Sequence, residues 1–245
     1  PGRSISYRRN PDWWARSLPV TRGRFNFDEV RYEFFRDASA LFEAFRSGEI
    51  DVRVEDDPGR WSEGYRFPAI EDGRVLRKEI RTELPAGMWG LVFNTRRPLF
   101  ADPRVRQALI LLFDAEWLGR NLYHGLYSRT QSYFERSYLS SSGRPADTRE
   151  RELLAPFPGA VLPSILDGTY LQPAGDGTPQ DRANAKRAYD LLVSAGYKLD
   201  AGIMRDASTG APLTFEILAG SNSQERLFLS FKNNLARLGI AVAIR

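Results

Sequence analysis

The stretch Gly87–Asp114, GMWGLVFNTRRPLFADPRVRQALILLFD, admits few folds. Met88, Trp89, Leu91, Val92 and Phe93 form a short apolar run whose aromatic and β-branched content predicts a buried strand. Arg96-Arg97-Pro98 ends it, because proline cannot donate to a ladder. Asp102-Pro103 then predicts a helix start: the carboxylate accepts from free first-turn N–H groups, and proline at the first position loses nothing. Val105, Ala108, Leu109 and Leu112 follow at i, i+3, i+4 and i+7, one apolar stripe. Strand, loop and capped helix define an α/β chain.

Upstream, Ile5 and Tyr7 alternate with Ser4, Ser6 and Arg8, predicting a half-buried strand that turns at Asn10-Pro11. Val30, Tyr32 and Phe34 alternate with Arg31 and Glu33 as a second strand. Ser39–Ser47 reads as a helix with Leu41, Phe42 and Phe45 inward, stopped by Gly48. Ile50, Val52 and Val54 alternate with Asp51, Arg53 and Glu55, predicting a strand with its charges in water and a βαβ unit. Glu55-Asp56-Asp57 before Pro58-Gly59 reads as a solvated turn rather than an acid–base or metal cluster. Gly64–Gly73 reads as loop, and Arg74–Glu83 as a strand with Val75 and Ile80 inside.

Downstream, Asp114 is expected to cap a helix over Ala115–Leu122. Neither period holds for long over 132–178, yet Leu139, Leu153, Leu154, Phe157, Val161 and Leu162 are too apolar for a disordered linker. The expectation is a long ordered excursion with short helices. Thr178-Pro179-Gln180-Asp181 opens a helix carrying Ala185, Ala188, Tyr189 and Leu192, stopped at Gly196. A strand at Leu213–Ile217, a helix over Ser223–Leu238 and a strand at Ile240–Ile244 make a second βαβ unit.

Among function classes, several lack their chemistry. Thirty-five basic residues face 31 acidic ones, a net +4, interleaved rather than blocked, which predicts solvated surface over a polyanion-binding face. Cysteine is absent, removing disulfides and thiolate metal sites. No apolar run approaches the roughly 20 residues a membrane helix needs. No nucleophile elbow, phosphate-binding loop, dinucleotide turn or zinc helix appears, and His124 is the single histidine, without triad or metal partners in sequence. Its loop, Tyr123–Tyr127, is expected to be surface packing, with approach to a ligand as the alternative. A carboxylate-dependent hydrolase leaves no sequence signal and stands as an alternative. No catalytic residue, metal or cofactor is expected.

FNTRRPLFADPRVRQAL resembles the F-N-T-x-x-P-x-F-x-D-x-R-V-R-Q-A signature of the extracellular solute-binding proteins of peptide-type ABC importers, solute-binding family 5. RNPDWWARSLP at Arg9–Pro19, FEAFRSGEIDVRVE at Phe42–Glu55 and AKRAYDLLVSAGY at Ala185–Tyr197 match it further, in the family's order. The whole is similar to the branch typified by the microcin C and oligopeptide importer. The resemblance implies a type II, cluster C, two-lobe periplasmic-binding-protein-like fold, α/β with mixed sheets and flanking helices, here incomplete. Residues 1–87 are expected in the first lobe. Residues 88–245 are expected to begin the second, with the irregular insertion at about 132–178. It further implies an internal fragment of an exported, periplasmic protein whose leader lies outside this sequence. Trp13 and Trp14 match a structural motif and are expected as a core plug, with an aromatic platform for ligand as the alternative.

The same resemblance implies capture of a peptide or peptide-like ligand between lobes and delivery to inner-membrane permease subunits. No enzymatic step, no nucleic acid and a monomeric state are expected. Ligand-binding positions are Met88, Trp89, Gly90, Leu91 and Asn94. For Trp89 the competing reading is core packing beside the hinge. A non-transport binding or signalling module is the alternative on the same fold, with a polyanion-binding domain behind it.

Overall fold

Alternation in the first thirty residues produces β1 (Ser4–Arg8) and β2 (Glu29–Glu33), paired antiparallel with Ile5 opposite Tyr32 and Tyr7 opposite Val30. The computed structural model describes residues 3–82, 84–220 and 224–245. It divides into two compact units, Pro1–Lys78 and Glu79–Arg245. In the first unit the expected half-burial of β1 does not occur: Ile5, Tyr7, Val30 and Tyr32 share one exposed face. Trp13 is half-buried, edge-on to Phe25 at 5.3 Å, whereas Trp14 is 80% exposed and plugs nothing.

The helix α1 (Ala38–Ser47) forms as its pattern requires. Asp37 accepts from Ser39 and Ala40 N–H, and Gly48 closes the helix at φ 84°, a conformation a Cβ disfavours. Phe42 and Phe45 pack with Tyr65 and Phe67 into a small core. A π-helical turn, Arg60–Gly64, and α2 (Pro68–Glu71) complete the unit, α2 forming within Gly64–Gly73 where loop was expected.

Two strands expected here are absent. Residues 50–55 form no ladder, and their faces are reversed: Val52 and Val54 are exposed while Arg53 and Glu55 are buried. Burying charge is tolerated when it is paired and hydrogen-bonded. Arg53 donates from Nε and Nη2 to Glu55 at 3.2 and 3.1 Å and lies 5.5 Å above the Phe42 ring. Glu55 also accepts from Tyr65 Oη at 3.0 Å and pairs with Arg60 at 3.4 Å. The solvated-turn expectation therefore fails for Glu55, and the first βαβ unit lacks its second strand. Residues 74–82 likewise form no strand; Ile80 is exposed, and Glu83 lies outside the described residues.

In the second unit α3 (Pro98–Ala101) precedes α4 (Pro103–Leu111), where Asp102 accepts from Arg104 N–H as the cap. Val105, Ala108, Leu109 and Leu112 are all buried, as their spacing requires. Asp114 accepts from Trp117 N–H and starts α5 (Ala115–Asn121). Residues 132–178 carry α6 (Thr148–Leu154), with a capping box between Asp147 and Glu150, and α7 (Pro163–Leu166). In α8 (Arg182–Ser194) the cap is Asp181 rather than Thr178, and the helix packs on α4.

A hairpin that the periodicity did not reveal follows, β3 (Tyr197–Asp200) and β4 (Ile203–Asp206), turning at Ala201-Gly202 with both φ values positive. The expected βαβ unit is present: β5 (Thr214–Ile217), α9 (Glu225–Ala236) and β6 (Ala241–Ile244), with β5 parallel to β6. Ser223, where that helix was expected to begin, lies outside the described residues. Phe215, Ile217 and Val242 point inward and join Leu109, Leu192, Phe228 and Leu235 in the core. Gly239, at φ 72°, lets the chain pass the hairpin: a Cβ there would sit 2.4 Å from the Gly202 carbonyl oxygen.

Candidate ligand-binding site

The stripe that buries α4 leaves its flank, with the start of α5, facing the loop after α5. Between them the second unit holds an open concavity of about 680 Å³. Ile110 and Phe113 supply one wall, Tyr123 and Tyr127 another, and Phe231 of α9 part of the floor. Residues 87–91 and Phe93 form its edge. The Tyr123 and Tyr127 rings lie 4.7 Å apart, tilted by 35°, and Phe113 meets Phe231 edge-on at 5.4 Å. Aromatic faces with a few hydroxyls suit an apolar ligand carrying a polar backbone.

The expected strand at 88–93 does not form. The segment has no ladder, because a strand requires a hydrogen-bonded neighbour and no described segment supplies one. Its side chains still divide: Leu91 and Phe93 pack against the core, while Trp89 is 60% exposed, Val92 is 94% exposed and Met88 is exposed. Met88, Trp89, Gly90 and Leu91 thus all line the concavity. Asn94 does not. Its Oδ1 accepts from Arg96 N–H at 3.3 Å and its carbonyl from Arg97 N–H at 3.0 Å, so it shapes the turn that follows.

The electrostatics come from few groups. Among the described residues that line the concavity, Arg129 is the one with a charged side chain, and burial lowers its pKa. It donates from Nη1 to the Pro173 carbonyl at 2.8 Å and lies 5.8 Å from the Phe113 centroid. Burial raises the Tyr123 phenol, with neighbouring Tyr127 adding to it. Burial also raises Asp114, opposed by its capping bond from Trp117. Among the described residues no group of three or more His, Cys, Asp or Glu is placed to hold a metal ion.

The sequence did not single out Arg129, Ile110 and Phe113, and for Tyr123 and Tyr127 it favoured surface packing over approach to a ligand. No periodicity marks Arg129. The available signal was an arginine between two hydroxyl residues, Ser128 and Thr130, directly after an aromatic pair.

This fold, with an aromatic concavity beside a βαβ core, is that of a bacterial solute-binding protein. Residues 1–245 match the model for bacterial extracellular solute-binding proteins, family 5, middle region, and the chain belongs to that family. A binding protein of Brucella melitensis is 52% identical over 244 residues, covering 100% of this chain and 40% of its own length. The peptidoglycan-binding protein YepA of Agrobacterium fabrum is 41% identical over 252 residues, covering 100% of this chain and 41% of its own. The oligopeptide-binding protein AppA of Bacillus subtilis, solved with a nonapeptide, shares the fold at TM-score 0.58 and 20% identity, over 100% of this chain and 40% of that one. The chain therefore spans about two fifths of the length of the relatives it matches. The α/β, two-lobe class expected from the motifs is the family's, and these relatives and neighbours are binding proteins. Among the described residues no helix is long and apolar enough to cross a membrane.

Proposed function

We propose that this chain is part of the solute-capturing subunit of an ABC importer, and that its concavity takes one portion of a peptide or peptide-like ligand. The observation that carries the reading is the wall of Trp89, Phe113, Tyr123 and Tyr127 around about 680 Å³, in a member of family 5. Aromatic faces accept varied side chains without demanding one shape, and the exposed residues 87–90 can offer main chain to a ligand's backbone. Capture and release need no covalent step, so the protein is read as a carrier rather than an enzyme. It is read as a periplasmic monomer that hands ligand to inner-membrane permease subunits. The boundary between its lobes is placed at the crossover near residues 87–88. The peptidoglycan-binding relative makes cell-wall peptides a ligand class to include.

The test is calorimetry on the full-length protein with alanine peptides of two to eight residues and a cell-wall tripeptide. Gly90 supplies the control, since a Cβ built there meets nothing within 4 Å and its φ is ordinary. Gly90→Leu is expected to keep the wild-type melting temperature and to weaken peptide binding by tenfold or more, about 1.4 kcal/mol. Equal affinity in both proteins, or no peptide bound by the wild type, overturns the reading.

A further inference from the structure

We infer that Arg129 is the anion anchor of this concavity, holding a carboxylate of the bound ligand against the aromatic wall; the inference rests on the peptide-binding reading above. A guanidinium carries five N–H donors. One goes to the Pro173 carbonyl at 2.8 Å. Among the acidic side chains, Glu116 acts on it through its field, and Glu116 Oε2 accepts from Gly175 N–H at 2.7 Å. Arg129 thus differs from Arg53, Arg60, Arg74 and Arg104, each paired with an acidic side chain.

Its spare donors are not orphaned in the interior. Among the described residues the buried side-chain nitrogens lacking a partner do not include them, and Arg129 itself lines the concavity. Removing a cation from water without an anion is costly, and a ligand carboxylate would relieve that cost by a two-point, charge-assisted contact. Phe113 lies against the cation, and Tyr123 and Tyr127 share the concavity with it. The carboxylate can come from a peptide's C-terminus or from an acidic side chain.

The full-length protein is titrated by calorimetry with trialanine, trialanine amide and Ala-Glu-Ala amide, as wild type, Arg129→Gln and Arg129→Lys. In the wild type, at least one carboxylate-bearing probe is expected to bind about tenfold more tightly than trialanine amide. Trialanine in that role identifies the C-terminus, and Ala-Glu-Ala amide identifies a side chain. Arg129→Gln is expected to bring the ratio close to one while binding of trialanine amide persists. Arg129→Lys keeps the charge but loses the fork, so the ratio should fall at least threefold; this variant carries the test if the glutamine protein does not fold. A wild-type ratio near one, or a ratio unchanged by the variants while peptides still bind, overturns the anchor and leaves the peptide reading standing. Failure of all three probes to bind overturns both.

Discussion

At the scale of single residues, Trp89 and Glu55 are opposite cases, an aromatic ring left exposed and a carboxylate taken inside. Trp89 is 60% exposed on the edge of the concavity, so its ring adds little to the core. Trp89→Ala is expected to shift stability by less than about 0.5 kcal/mol. In the full-length protein it should cost on the order of 2 kcal/mol of peptide affinity. Thermal melting and calorimetry on the same variant check both, and a large loss of stability would return Trp89 to the core. Glu55 is the reverse case, a carboxylate with 1% of its side chain exposed, holding Arg53, Arg60 and Tyr65. Glu55→Ala leaves the Arg53 cation buried and uncompensated, with an expected loss of about 3–5 kcal/mol. Urea denaturation measures it, and a loss below about 1 kcal/mol would show that the network contributes little.

At the scale of elements, the turn after β4 contains a pH-dependent contribution. Asp206 accepts from Ser208 N–H and Oγ–H and from Thr209 N–H, and its pKa falls from the ordinary 3.8 to about 2, the Ser208 hydroxyl being the largest cause. A depressed folded pKa gives stability that is complete above the unfolded value and disappears as pH falls through the folded one. The hairpin should therefore loosen between about pH 4 and pH 2. Amide exchange at Ser208 and Thr209 checks this, and Asp206→Asn should remove the dependence. The capped helices were legible beforehand: Asp102 and Asp114 each announce a helix start, and the i, i+3, i+4 stripe of α4 matches its buried face. Isolated strands were less so. Residues 50–55 and 88–93 have strand composition without ladders, because pairing depends on a neighbour that local sequence does not specify.

For the whole molecule, charge is the property with a direct consequence. Behind the small net excess of +4, basic side chains pair locally, as in Arg46–Glu43, Arg74–Asp72, Arg104–Asp102 and Lys186–Asp190, which neutralises part of the cationic surface. Duplex DNA should bind more weakly than about 1 µM at physiological salt, with the residual affinity vanishing as salt rises. Fluorescence anisotropy across a salt series checks this, and sub-micromolar binding would restore the polyanion reading.

The sequence alone determined the α/β class, the helix starts at Asp102 and Asp114, the βαβ unit at residues 213–244 and, through four ordered motifs, the family. Each is carried by local chemistry: a side chain that caps its own helix, or a period that repeats within a dozen residues. Tertiary structure decided the rest. It turned Glu55 inward, because Arg53 and Tyr65 were there to receive it, and left Val54 in solvent. It also brought Arg129 to the same concavity as Phe113 and Trp89. Their convergence depends on how α4, α5 and α9 pack, and residues sixteen and forty positions apart carry no mark of that meeting in the chain.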